Sequence, residues 1–196
     1  MLLVTKAPPD ADQSGQRLHL PNSTPGKHSS RGWCVMEKNA GAIVKMADCL
    51  LDFRRYKGAT DFDTCIKQMR AGREPPRSPP AFGEFMSTGV ASDKIQFSEQ
   101  DDAGLVCRLY QEGFVKTVNR VAAKGGGLVF VNLRWGDKEG AVLVEALRYA
   151  AEHCTFPRGA VRVHVEGGDR ISAVSRVGTA GHEAEWRELK GKFVFT

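Results

Sequence analysis

From Trp33 onward, apolar residues recur at helical spacing: Ala40, Val44, Ala47 and Leu51, with Ile43 and Leu50 beside them. The pattern predicts a helix of about 22 residues, capped by Ser30, running to Leu51–Phe53 and buried along that face. A shorter helix is predicted over Asp61–Ala71. Thr60 and Asp63 have capping-box spacing, Phe62, Ile66 and Met69 form its apolar side, and Gly72 stops it. After a strand candidate at Lys94–Phe97, Ser98 and Asp101 again have capping spacing. Leu105, Val106, Leu109, Phe114, Val118 and Val121 then mark a long amphipathic helix that ends at Gly125–Gly127. Leu128–Leu133 reads as a strand covered on both faces. Lys138–Glu152 reads as a helix, and Lys192–Thr196 as a further strand. Ala160–Val165 and Arg170–Val177 read as two strands joined by the turn Glu166–Asp169. Before all of these, Leu2–Thr5 is a short strand candidate and Ala7–Lys27 a long loop. The expected fold is α/β: a small mixed sheet with packed helices and a C-terminal β-hairpin.

The pattern also suggests divisions. Residues 1–73 form a strand–loop–helix–helix segment. Residues 74–93 open with Glu74-Pro-Pro-Arg-Ser-Pro-Pro80 and read as a proline-rich linker with polyproline II character. Residues 94–196 hold β–α units and the C-terminal strands. Within them Ile95, Phe97, Asp101, Gly104 and Val106 align at a constant offset with Val131, Leu133, Asp137, Gly140 and Val142, as either a degenerate repeat or a chance similarity of two β–α units.

Composition narrows the class. The 196 residues are 41% hydrophobic and 26% charged, which is ordinary for a globular chain. Glycine (21) and proline (9) are abundant, which implies many turns. No apolar run approaches the length of a spanning helix, so no membrane association is expected. The five cysteines show no C-x-x-C pair, so neither zinc nor a thioredoxin-type site is signalled, and a reducing, cytoplasmic location fits. The formal net charge is +5. Arg54, Arg55, Lys57, Arg70, Arg73 and Arg77 are the densest basic stretches, and they carry a weak expectation of nucleic-acid binding.

The candidate chemistry lies in Ser29-Ser-Arg-Gly-Trp-Cys-Val-Met-Glu37. Trp33 and Glu37 are four apart and share a helix face with Ala40 and Val44, which places Glu37 at the edge of the core. A carboxylate there is a candidate ligand-binding or catalytic acid; the alternatives are a pair with Arg31 or plain exposure. Cys34, near a helix N-terminus, is either a thiol of lowered pKa or an inert half-buried one. His28 precedes the helix and can join a polar cluster with these residues. His182-Glu-Ala-Glu-Trp186 lacks the second histidine of H-E-x-x-H, and Gly125–Gly127 lacks the context of a P-loop.

The string Ser30-Arg-Gly-Trp-Cys-Val-Met-Glu37 resembles the helix-start motif of TIR domains, and its Arg-Gly-Trp-x-x-x-Glu resembles that of fungal HET domains. In NAD-cleaving TIR domains the glutamate is used in cleavage, and the resemblance implies that role for Glu37. The chain is also similar to protist and algal proteins that join such a segment to degenerate leucine-rich-type β–α units. The matching residues are Arg31–Glu37, Phe97-Ser98, Asp101, Val106, Leu109-Tyr110, Phe114 and Leu133–Asp137, and this likeness implies no activity. Residues 1–28 leave no room for the early β–α units of TIR or HET domains, so a reduced or truncated relative is expected. Three functions follow. The first is a non-catalytic interaction or signalling module that binds other proteins, needs no cofactor and has Trp33 as a structural anchor. The second is an NAD- or nucleotide-cleaving glycohydrolase using Glu37. The third is a basic RNA- or assembly-binding protein.

Overall fold

A computed structural model describes residues 2–3, 30–45, 51–52, 56–69, 73–97, 99, 101–131, 135–165, 189 and 191–195. In chain order the elements are β1 (Leu2–Leu3), α1 (Gly32–Val44), β2 (Leu51–Asp52), α2 (Phe62–Met69), α3 (Pro79–Ala91), α4 (Asp102–Ala123), β3 (Gly127–Phe130), α5 (Asp137–His153), β4 (Val161–Val165) and β5 (Phe193–Phe195). The fold is α/β, with helices packed on a small sheet.

Val106, Tyr110, Phe114, Val118 and Ala122 recur every fourth residue along α4, and all five are buried. This row is the spine of the core. Phe82 of α3 stacks on Tyr110 at 4.0 Å between ring centroids, and Tyr149 of α5 meets Phe114 edge-on at 5.7 Å. Gly125, at φ 63°, takes the left-handed conformation that ends α4 and turns the chain into β3.

β3, β4 and β5 are adjacent in that order, and both pairings are parallel. A parallel pair needs a crossover, and α5 supplies it between β3 and β4. Leu128, Phe130, Val161, Val163 and Phe193 point into the core, whereas Gly127, Arg162 and Val194 lie exposed on the other face. All strand pairs among the described residues are parallel, β1 with β2 included. The antiparallel contribution expected from Arg170–Val177 lies outside the described residues. β3 is shorter than expected and buries alternate residues, so it is not covered equally on its two faces.

Two expectations need correction. The helix at Trp33 ends at Val44 rather than near Leu51, because Leu51–Asp52 pairs as β2 with Leu2–Leu3. Residues 74–93 are not a spacer. Ser78 accepts a hydrogen bond from the Ala81 amide, Pro79 follows at a position where its missing N–H costs nothing, and 13 residues of helix result. One cluster of buried side chains contains Val35 and Ile43 of α1, Phe82 and Met86 of α3, the α4 row, and the core face of the sheet.

Among the described residues, no helix is long and apolar enough to cross a membrane. If α3 is part of the core, Phe82→Ala should cost about 3–5 kcal/mol in urea denaturation, as for a fully buried aromatic. A loss under about 1 kcal/mol, the range of surface changes, would return residues 74–93 to the status of a linker.

Candidate functional site

The Arg-Gly-Trp string lies where α1 begins, and each of its residues meets the segment 96–102. Arg31 pairs with Gln96 in a single parallel bridge: the Gly32 amide donates to the Gln96 carbonyl (3.0 Å) and the Gln96 amide to the Ser30 carbonyl (2.7 Å). The N-cap residue of α1 is Arg31 rather than the expected Ser30, and Arg31 gives no side-chain cap. A Cβ on Gly32 would fall 2.0 Å from the Phe97 ring, inside van der Waals contact. Only glycine leaves room for that ring. Trp33 Nε1 donates to Asp102 Oδ2 at 2.8 Å, which ties α1 to the first turn of α4.

The buried face of α1 is Gly32, Val35, Asn39, Ala42 and Ile43. Trp33 and Glu37 do share a face, but it is the outer one. Trp33 is 36% exposed and Glu37 is exposed, with Ala40 and Val44 only half-buried. Glu37 therefore does not stand at a core edge. The helix is turned because close contact between Gly32 and Phe97 directs Val35 and Asn39 inward. Cys34 is half-buried. Burial and the Glu37 carboxylate push its thiol above the ordinary value, against a smaller opposing effect of Arg31. That is the inert alternative rather than the reactive one. Of the five candidate residues, Arg31, Trp33, Cys34 and Glu37 fall within about two turns, and His28 lies outside the described residues.

A polar network beneath this surface had little signal in sequence. Glu74 meets Lys38 Nζ at 2.5 Å and Arg77 Nη1 at 3.2 Å, and Arg77 Nη1 also donates to Asn39 Oδ1 at 2.9 Å. Burial raises the Glu74 pKa, but Lys38 and Arg77 more than offset it and hold the carboxyl below its ordinary value. Arg73 is 4% exposed and donates to the Ala42 and Val129 carbonyls, while its own carbonyl accepts from Trp135 Nε1. It therefore contributes nothing to the basic surface expected from Arg54 to Arg77.

Two of the open concave surfaces are lined entirely by described residues. One, of about 620 Å3, runs along the outer face of α4 from Arg108 to Asn119. The other, of about 510 Å3, lies on α3 and the turn after it, around Phe85, Thr88 and Ile95. Glu37 lines neither. Among the described residues no three His, Cys, Asp or Glu side chains are placed to hold a metal ion. Comparison of the chain with family models, curated proteins and solved structures finds no match.

Gly32→Ala should destabilise the protein by about 1–3 kcal/mol, the usual cost of overpacking. The same change in a Phe97→Ala background should cost less than half as much; equal costs in the two backgrounds would disprove the contact. The Glu74 carboxyl is depressed in the folded state, so its contribution is present above the unfolded value of about 4.3 and is lost as pH falls through the folded value. Urea midpoints between pH 6 and pH 3 should fall less steeply for Glu74→Gln than for wild type.

Proposed function

We propose that the chain is a non-catalytic interaction module of signalling type that docks other proteins in a reducing, cytoplasmic setting. The observation that carries this reading is how the motif residues are used. The backbone of Arg31, the bare Cα of Gly32 and the indole N–H of Trp33 hold α1 against residues 96–102, and Glu37 lies exposed on the outer face of the helix. An acid that stabilises a ribosyl cation works from a desolvated, preorganised pocket. The surface best suited to a protein partner is on α3. There Phe85 and Val90 are exposed, and the Arg77 guanidinium stacks over Phe85 at 4.2 Å. Aromatic and arginine side chains dominate binding energy at protein interfaces. The free thiols at Cys34, Cys65, Cys107 and Cys154 suit a reducing compartment.

An NAD-hydrolysis assay tests the reading. Wild type and Glu37→Ala should both release nicotinamide at the uncatalysed rate. Turnover by wild type that Glu37→Ala abolishes would replace this proposal with the glycohydrolase one.

A further inference from the structure

Acidic residues are missing from three stretches of the second half of the chain: between Glu112 and Asp137, between Glu152 and Glu166, and after Glu188. The parallel register brings these stretches to one end of the molecule, where α4 finishes and β3, β4 and β5 begin. Arg120 and Lys124 stand on the last turn of α4, Arg158 on the turn before β4, and Arg162 on β4. The Gly125–Gly127 turn lies between the two arginines. A Cβ at Gly125 would be 3.9 Å from Arg158 Cδ, and one at Gly127 would be 3.6 Å from Arg162 Cβ. All four basic side chains are exposed, and none is paired with a carboxylate among the described residues. The nearest acid to Arg120 on α4 is Glu112, about 12 Å back for eight residues of helix, and the exposed Glu152 stands on the last turn of α5, whose end meets this one through the Thr155–Asn119 and Lys192–Ala151 hydrogen bonds.

Cations at a helix C-terminus complement its dipole, which accounts for Arg120 and Lys124. It does not account for Arg158 and Arg162, which come from other elements. We infer that this end of the molecule binds the phosphate backbone of a double-stranded nucleic acid. Three of the four cations are arginines, whose planar fork matches phosphate oxygens in a bidentate way. Gly125–Gly127 adds no side chains to hold a backbone away. The exposed aromatic residues Trp33, Tyr56, Phe62 and Phe85 all lie on other segments, so no stacking platform for the bases of a single strand is present among the described residues. Among the described residues at this end Val194 is the one large apolar side chain exposed, too little to enter a lipid surface. None of its four cations belongs to the Arg54–Arg77 stretch of sequence or to α3.

The test is fluorescence anisotropy of the full chain with labelled 20-base-pair DNA and RNA duplexes at 50 and 200 mM salt. Four neutralised phosphates predict a slope of about −3.6 in log K against log salt, or a fall in affinity of about 150-fold over this range. Arg120→Gln/Lys124→Gln/Arg158→Gln/Arg162→Gln should abolish binding with an unchanged circular dichroism spectrum. Arg158→Gln/Arg162→Gln alone should lower the slope by about 2. Phe85→Ala should bind as wild type. The inference is overturned if the folded protein does not bind at 50 mM salt, or if the fourfold variant binds as wild type. Equal affinity for polyglutamate would also overturn it, since the partner would then be an acidic polypeptide.

Discussion

A buried stretch of backbone without regular structure must have its polar groups met by side chains, and the strap at residues 73–78 is built on that constraint. Arg73, Pro75, Pro76 and Ser78 are all buried. Two prolines remove two amide donors that would otherwise need acceptors. The carbonyl of Arg73 receives the Trp135 indole and that of Arg77 the Tyr110 hydroxyl (2.7 Å), while Ser78 Oγ donates to Glu145 at 2.5 Å. In return the Arg73 guanidinium takes up carbonyls of α1 and β3. α1, α4, α5 and β3 thus converge on six residues, and the core rows of the helices fall into register around them.

How far the fold was legible follows from this. α5 and β5 begin and end within a residue or two of the sequence reading, because caps and periodicity act locally there. α3 was hidden. Its two prolines read as a spacer, and Gly83 and Gly89 lower its intrinsic propensity, so the helix depends on burying Phe82 and Met86. α1 was found, but its inner face was misjudged. A large indole at Trp33 outweighs Val35 and Asn39 in any hydrophobicity pattern, and nothing local reveals that the Phe97 ring occupies the space beside Gly32.

The candidate site divides the same way. The Arg-Gly-Trp string and the Phe97–Asp101 segment could both be picked out in sequence; that each is the other's binding surface could not. The basic end was invisible for the opposite reason. Arg120, Lys124, Arg158 and Arg162 are scattered along the chain, and only the parallel register of β3 with β4 assembles them. The dense cluster that sequence offered instead contributes Arg73 to the interior, where the guanidinium serves as a multiple hydrogen-bond donor and lies over the Phe130 ring at 4.9 Å.

The junction between Trp33 and Asp102 also has a kinetic meaning. It joins residues 69 positions apart, whereas α4, β3, α5 and β4 follow one another directly along the chain. Closing so long a loop costs entropy before any contact repays it, and local structure forms sooner. The α4–β4 unit is therefore the natural folding nucleus, with α1 docking onto it late. On a ribosome, α1 emerges well before Phe97 and Asp102. It must wait there with its Val35–Ile43 face unburied, the stage at which a chaperone would find a surface to hold.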